Sequence, residues 1–105
     1  MPVATLDEPT IEAWLSAIPD WRREGNQIVR QLKLPSFADA ISFVNMVAQL
    51  AEELNHHPDI LIHYREVTLT LSTHEAGGLT KADFDLAKRI DALPLPNSTR
   101  SQPPL

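Results

Sequence analysis

The feature that most constrains the fold is a long, strongly apolar segment between Ser36 and Pro58. It opens with Ser-Phe-Ala-Asp, in which a serine is followed three residues later by an acid, a capping-box pattern that starts helices. It has to end before Pro58, because proline disfavours helical geometry in the residue that precedes it. The segment therefore predicts a helix from about Phe37 to Asn55.

The polar residues of this helix fall on one narrow stripe, at spacings of three and four: Asp39, Ser42, Asn45, Gln49, Glu52 and Glu53. A helix with so little polar surface is covered on more than one side. One face of a sheet covers only one side, so the pattern predicts that this helix also packs against another subunit. We expect a homodimer or a homotetramer.

Two hairpins are predicted, one on each side of the long helix in the chain. The first turns at Gly25-Asn26, because both residues tolerate positive φ. The second strand of this hairpin carries Ile28, Leu32 and Leu34 on its apolar side. Arg30 interrupts that side. The second hairpin joins residues 59–64 to residues 67–72 through Arg65-Glu66, a link without the usual turn chemistry. Its second strand alternates apolar with polar residues, as half-buried antiparallel strands do.

Shorter helices are predicted towards both ends of the chain. The first is opened by Thr10 and stopped by Pro19, and the last follows Thr80 with an inner face of Phe84, Ala87 and Ile90. The order helix, two strands, helix, two strands, helix indicates an α+β fold, with a four-stranded antiparallel sheet and three helices on one face. We expect one domain spanning residues 1–105, with flexible ends at residues 1–9 and 94–105.

Composition excludes several classes of function. The net charge is −5 and the basic residues are scattered, so no nucleic-acid-binding surface is expected. The chain has no cysteine, which removes disulfides, thiolate nucleophiles and sulfur-ligated metals. No apolar run approaches the ~20 residues that span a bilayer. The first residues lack the features of a signal peptide, so we expect a cytoplasmic protein that does not bind membranes.

All four histidines lie between residues 56 and 74. Glu52 precedes His56 by four residues at the end of the predicted helix, so these two side chains are expected to touch. Imidazoles titrate near neutral pH, and a neighbouring carboxylate fixes which ring nitrogen carries the proton. His57 lies about 100° around a helix from His56, so the two rings need not point alike. His74 ends a strand, where a side chain can face a cleft. This group of residues suits general acid–base chemistry.

Two other interpretations of these residues stay open. The histidines can be read as zinc ligands, with His74 or a carboxylate completing the shell. They can equally be structural, with His57-Pro58 as a cap and turn. Asp83 also has a structural interpretation, because it completes a capping box with Thr80. His63 is interpreted as an ordinary surface or sheet-face histidine.

The pattern Glu52-x-x-x-His56-His57-Pro58, followed by Tyr64, His74 and Asp83, resembles the signature of the pterin-4a-carbinolamine dehydratases. The similarity extends from about residue 11 to residue 92. It implies an enzyme without a metal or organic cofactor, which removes water from a 4a-hydroxytetrahydropterin to give the quinonoid dihydropterin. Such an enzyme supports pterin recycling after aromatic amino acid hydroxylation and suppresses rearrangement of the carbinolamine to a 7-substituted pterin.

The resemblance also implies roles for individual residues. His56 and His57 are the expected acid and base, in either order, and His74 assists the second proton transfer or holds the hydroxyl. Glu52 would orient His56 or the pterin, while Asp83 would orient an imidazole or contact the ring. The expected pterin-binding residues are those of the segment after the last strand, together with the two histidines and Asn55: Asn55, His56, His57, Ser72, Thr73, His74 and Glu75.

A protein-binding role is the alternative that this resemblance implies. Some members of the family serve as a dimerisation cofactor for a transcription factor or as assembly chaperones for a carbon-fixing enzyme. The presence of all five expected catalytic side chains favours the enzyme, because a pure adaptor does not need them.

Overall fold

The computed structural model describes residues 5–95 of the chain. Three helices, four strands and a one-turn 3₁₀ helix follow one another in this order: α1 (Glu8–Leu15), β1 (Arg22–Glu24), β2 (Gln27–Lys33), α2 (Phe37–Leu54), β3 (Asp59–His63), β4 (Glu66–Leu71), the 3₁₀ helix (His74–Ala76) and α3 (Lys81–Asp91). The strands form one antiparallel sheet in the order β1-β2-β4-β3. The predicted α+β fold is confirmed.

One hydrophobic core lies between the sheet and the helices. The long helix α2 contributes Phe43 and Val47, α3 contributes Phe84, and α1 contributes Ile11, all of them buried. The sheet supplies every second residue of β4, as the alternation predicted, because successive strand side chains point to opposite faces. On the opposite face of the sheet, side chains such as Leu61 are exposed.

Arg30 points towards the core side of β2 and is accommodated there by an acidic partner. Its Nη1 atom lies 2.6 Å from Oδ1 of Asp91, and the Trp21 indole N–H donates to the same oxygen over 2.8 Å. A charged side chain that is mostly removed from water needs such a partner. The interruption in the apolar pattern is therefore an ion pair that joins the sheet to the end of α3.

Several predicted boundaries were wrong by one to three residues. Helix α1 ends at Leu15, before Pro19 is reached, and β3 and β4 each end one residue earlier than predicted. Helix α1 begins at Glu8 rather than Thr10, because Asp7 is its N-cap and accepts a hydrogen bond from the Thr10 N–H. The second hairpin turns at Tyr64-Arg65 rather than at Arg65-Glu66. His63 pairs with Glu66, which leaves a two-residue loop whose first residue, Tyr64, has a φ of 55°.

The turn predicted at Gly25-Asn26 is confirmed, since Glu24 pairs with Gln27 and Gly25 has a φ of 61°. Of the ends predicted to be flexible, residues 1–4 and 96–105 lie outside the described residues. Within the described part of the N-terminal end, the Leu6 N–H donates a hydrogen bond to the Leu79 carbonyl. Among the described helices, none is long and apolar enough to cross a membrane.

Helix α2 carries two apolar faces, and residues 5–95 bury only one of them fully. The covered face consists of Ala40, Phe43, Val47, Leu50 and Ala51. The other face is exposed or half-buried and follows the helical spacing of four, three and four residues; we call it the outer apolar face: Phe37, Ile41, Val44 and Ala48. Phe37 leaves 52% of its surface exposed. The prediction that a second subunit covers this helix is untested within one chain.

Candidate active site

The C-terminus of α2 determines where both adjacent histidines lie. Helix α2 ends at Leu54, and Asn55 takes the left-handed conformation with φ 50° and ψ 44°. The Asn55 N–H then donates to the Glu52 carbonyl and the His56 N–H to the Ala51 carbonyl, the pair of bonds that defines a Schellman motif. The chain has therefore left the helix before it reaches His56.

This geometry overturns the expected contact between Glu52 and His56. With Asn55 left-handed, the helical spacing of four residues no longer applies to His56. Glu52 is instead paired with His57, whose Nε2 atom lies 2.5 Å from the Glu52 Oε2 atom. Both side chains are more than half exposed, at 77% for Glu52 and 56% for His57.

His56 turns towards the start of α3 and meets Asp83. The His56 Nε2 atom lies 2.5 Å from the Asp83 Oδ1 atom, and Asp83 is completely buried. An ionised carboxylate only accepts hydrogen bonds, so His56 presents an N–H at Nε2 to Asp83. The sequence left open whether Asp83 contacts an imidazole or a ligand, and the structure places it against an imidazole.

The second oxygen of Asp83 is held by two donors. Oδ2 accepts hydrogen bonds from the Thr73 hydroxyl over 2.8 Å and from the Thr80 backbone N–H over 2.9 Å. The predicted capping box of Thr80 and Asp83 is therefore present. The structural and the site-related interpretations of Asp83 are compatible, because each uses a different oxygen.

His56 and His57, which follow α2, meet His74 of the 3₁₀ helix at a cleft of about 190 Å³. The cleft is lined by Asn55, His56, His57, Ser72, His74 and Glu75. Six of the seven residues predicted to bind a ligand thus share one cleft. Asp83 lies behind His56, and Glu52 is reached through His57. His63 lies exposed on the outer face of the sheet beside Glu66, as expected of a surface histidine.

Thr73 is the exception among the predicted binding residues. Its hydroxyl is used by Asp83, its N–H donates to the Gly78 carbonyl, and its own carbonyl accepts from the N–H groups of Ala76 and Gly77. All its polar groups are therefore committed within the chain. Ser72, in contrast, follows the last ladder residue of β4, and no backbone hydrogen bond of Ser72 occurs within residues 5–95.

A second cleft of about 250 Å³ adjoins the first, and the two share Ser72 and His74. It is also lined by Thr73, by Asn26 from the turn between β1 and β2, and by Gln27 at the start of β2. Sequence reasoning did not place this turn near the site. The pairing of β2 with β4, in which Ile28 lies opposite Leu71, brings it there.

The arrangement can hold and move protons. His56 and His57 each direct Nε2 towards a carboxylate, which leaves Nδ1 as the nitrogen that can exchange a proton with a ligand. Neutral imidazole with its second nitrogen bound in this way is a suitable general base, and its protonated form is a suitable general acid. Between residues 5 and 95, no three His, Asp or Glu side chains converge closely enough to hold a metal ion.

A family model and similar curated proteins agree on one family for this chain. A family model described as "Pterin 4 alpha carbinolamine dehydratase" matches residues 4–93 of the chain. Two similar bacterial proteins are each named "Putative pterin-4-alpha-carbinolamine dehydratase". The one from Roseiflexus castenholzii is 54% identical over 86% of this chain and 97% of its own length. The one from Thermomicrobium roseum is 50% identical over 87% of this chain and 98% of its own length.

Two solved structures are also similar. The crystal structure of a "transcriptional coactivator/pterin dehydratase" from Brucella melitensis has a TM-score of 0.81 and 32% identity, over 84% of this chain and 96% of its own. A pterin dehydratase-like protein, described as a RuBisCO assembly factor in the alpha-carboxysome, has a TM-score of 0.58 and 24% identity, over 80% of this chain and 93% of its own. At that identity, the second likeness concerns the fold alone.

Proposed function

Because the chain belongs to the pterin 4 alpha carbinolamine dehydratase family, we propose that it removes water from a 4a-hydroxytetrahydropterin to give the quinonoid dihydropterin. The observation that carries this proposal is the cleft in which His56, His57 and His74 meet. Such an activity would serve pterin recycling after the hydroxylation of aromatic amino acids.

The proposed reaction needs two proton transfers and no change in oxidation state. The carbon–oxygen bond at position 4a breaks, the departing hydroxyl takes up a proton and leaves as water, and a ring N–H loses its proton as the new double bond forms. Each positioned acid or base contributes typically ~10²–10⁴-fold to such a rate. The imidazole that acts as base must begin neutral, and the imidazole that acts as acid must begin protonated. The cleft allows this because it contains three imidazoles.

We assign the two transfers to His56 and His57, with His74 holding the hydroxyl or assisting the second transfer. The carboxylates of Asp83 and Glu52 support this assignment, because each engages Nε2 of one histidine. Asp83 is buried and hydrogen-bonded, so it positions His56 more firmly than the exposed Glu52 positions His57.

The pterin itself would lie against the backbone of Ser72, His74 and Glu75, with Asn55 on the other side. The 3₁₀ helix supports this placement, because the first N–H groups of a helix have no partner within it.

No metal or organic cofactor belongs to the proposed reaction, since both transfers are proton transfers. Elemental analysis of the purified protein is expected to find no stoichiometric metal. One tightly bound zinc per chain would contradict the acid–base assignment.

A homodimer or homotetramer is part of the same proposal. The outer apolar face of α2 supports it, and so does β3, which within residues 5–95 has a neighbouring strand on one side only. An uncovered edge strand is a hazard that association with a second copy removes.

Protein binding is the second candidate function. The Brucella melitensis protein is described both as a transcriptional coactivator and as a pterin dehydratase, so the two roles are not exclusive. The outer apolar face of α2 would serve a partner protein as well as a second copy of this chain. The five side chains of the site favour the enzyme as the first candidate.

A stopped-flow assay of carbinolamine dehydration tests the proposal with three proteins: wild type, His57→Ala and His63→Ala. The wild type is expected to accelerate dehydration over buffer, and His57→Ala to lose ~10²-fold or more of that acceleration. His63→Ala is the matched control, because His63 is an exposed histidine outside the cleft. A wild type that does not exceed buffer would overturn the enzyme and leave protein binding as the first candidate.

A further inference from the structure

The buried polar side chains of the described residues form a single connected group. They are Thr73, Thr80 and Asp83, exposed by 3%, 1% and 0%. The hydroxyls of Thr73 and Thr80 lie 2.8 Å apart, and Thr73 lies 2.8 Å from Asp83. Burying polar groups costs stability unless they are all hydrogen-bonded, and here no buried side-chain polar atom lacks a partner within residues 5–95.

Counting protons fixes the direction of every bond in this group. An ionised Asp83 only accepts, so the Thr73 hydroxyl must donate its one proton to Oδ2. Thr73 then has no proton left for Thr80, and the Thr80 hydroxyl must donate to Thr73. The chain of donation therefore runs from Thr80 through Thr73 to Asp83.

Asp83 has no freedom left at Oδ2, because the Thr80 N–H also donates there. Oδ1 is the oxygen that remains for His56, and it can receive only a donor. The carboxylate is held in one rotation, and His56 is held with its proton on Nε2 and a free lone pair on Nδ1.

We infer that Thr73 is a positioning residue, whose hydroxyl fixes the orientation of Asp83 and, through it, the tautomer of His56. Its hydroxyl acts through Asp83, because it is hydrogen-bonded to Asp83 and Thr80 and the residue is almost completely buried. The kinetic part of this inference rests on the proposed dehydratase function, whereas the tautomer of His56 is independent of it.

Thr73→Val is the variant that tests the inference, because it removes the hydroxyl and keeps the shape. We expect kcat for dehydration to fall about ten- to a hundredfold, the loss typical of a hydrogen bond to a charged group, with KM little changed. Thr73→Ser keeps the hydroxyl and should retain most of the activity. Thr70→Val is the matched control, since Thr70 lies on the opposite face of β4 and its hydroxyl makes no side-chain hydrogen bond within residues 5–95.

The second readout is the tautomer of His56, measured by ¹⁵N nuclear magnetic resonance across a pH titration. The neutral wild type should carry its proton on Nε2, and Thr73→Val should populate the form with the proton on Nδ1. If Thr73→Val does not fold, Thr73→Cys replaces it, because a thiol is nearly the same size and only a weak donor.

Unchanged kcat and an unchanged tautomer in a folded Thr73→Val would overturn the inference and leave the hydroxyl as a purely structural group. A wild-type His56 that carries its proton on Nδ1 would overturn it as well. If the wild type has no dehydratase activity, the proposed function fails, and the tautomer shift alone still decides the role of Thr73.

Discussion

Asp83 and His56 are 27 positions apart in the chain, yet Oδ1 of Asp83 lies 2.5 Å from Nε2 of His56. The carboxylate is fully buried at the start of α3, and the imidazole follows the end of α2. The site is therefore built where two helix ends meet. Its proton chemistry depends on how those ends are held.

Asp83→Asn is expected to lower kcat by ~10²-fold or more, because the amide replaces an acceptor with a group that also donates and so favours the wrong tautomer of His56. The same stopped-flow assay measures it. Asp85→Asn is the matched control: Asp85 is on the same helix and pairs with the exposed Lys81. Equal activity of both variants would show that Asp83 serves only the helix cap.

Glu52→Gln is expected to have a smaller effect than Asp83→Asn, below about tenfold in kcat, because the pair of Glu52 and His57 is exposed to solvent and weakened by it. Adding salt should narrow the difference between Glu52→Gln and wild type, since ions screen exposed charges. Glu53→Gln serves as control, because Glu53 pairs with Arg89 instead. A loss as large as that of Asp83→Asn would mean that Glu52 contacts the ligand directly.

Substitutions of Asn55 separate its backbone role from its side-chain role. Asn55→Ala is expected to lower the free energy of unfolding by about 1 kcal/mol, because alanine tolerates the left-handed conformation less well than asparagine does. Asn55→Gly should keep the stability, since glycine is the usual residue at this position. Urea denaturation measures both. If Asn55→Gly is stable and loses affinity for the pterin, the amide binds the ligand; unchanged KM would argue against that role.

Ile41→Asp is expected to reduce the molar mass in solution. The substitution places a charge in the outer apolar face of α2, where a second copy would have to bury it. Light scattering at micromolar concentration is the measurement, with Ser42→Asp as control because Ser42 is exposed on the polar stripe of α2, outside that face. A wild type with the mass of one chain would refute the predicted homodimer or homotetramer.

Local sequence determined most of the fold. The capping boxes at Ser36 and Thr80, the Gly25-Asn26 turn and the alternation along β4 are short-range signals, and each led to an element that the structure contains. The residue types of the site were also readable, since His56, His57 and His74 line the same cleft. The predictions of helices, strands and turns succeeded because each depended on neighbours within a few positions of one another.

The partners of the site were decided by tertiary structure. The left-handed Asn55 ends α2 before the chain reaches His56. As a result, Glu52 pairs with His57, and His56 pairs with Asp83. Thr73 was predicted to bind the ligand; the chain after β4 turns its hydroxyl towards the buried Asp83, and the residue also lines the second cleft. Sequence alone determined which residues are present and which elements carry them. Which carboxylate meets which imidazole depends on the packing of α2 against α3, and no local pattern encodes a contact between residues 27 positions apart.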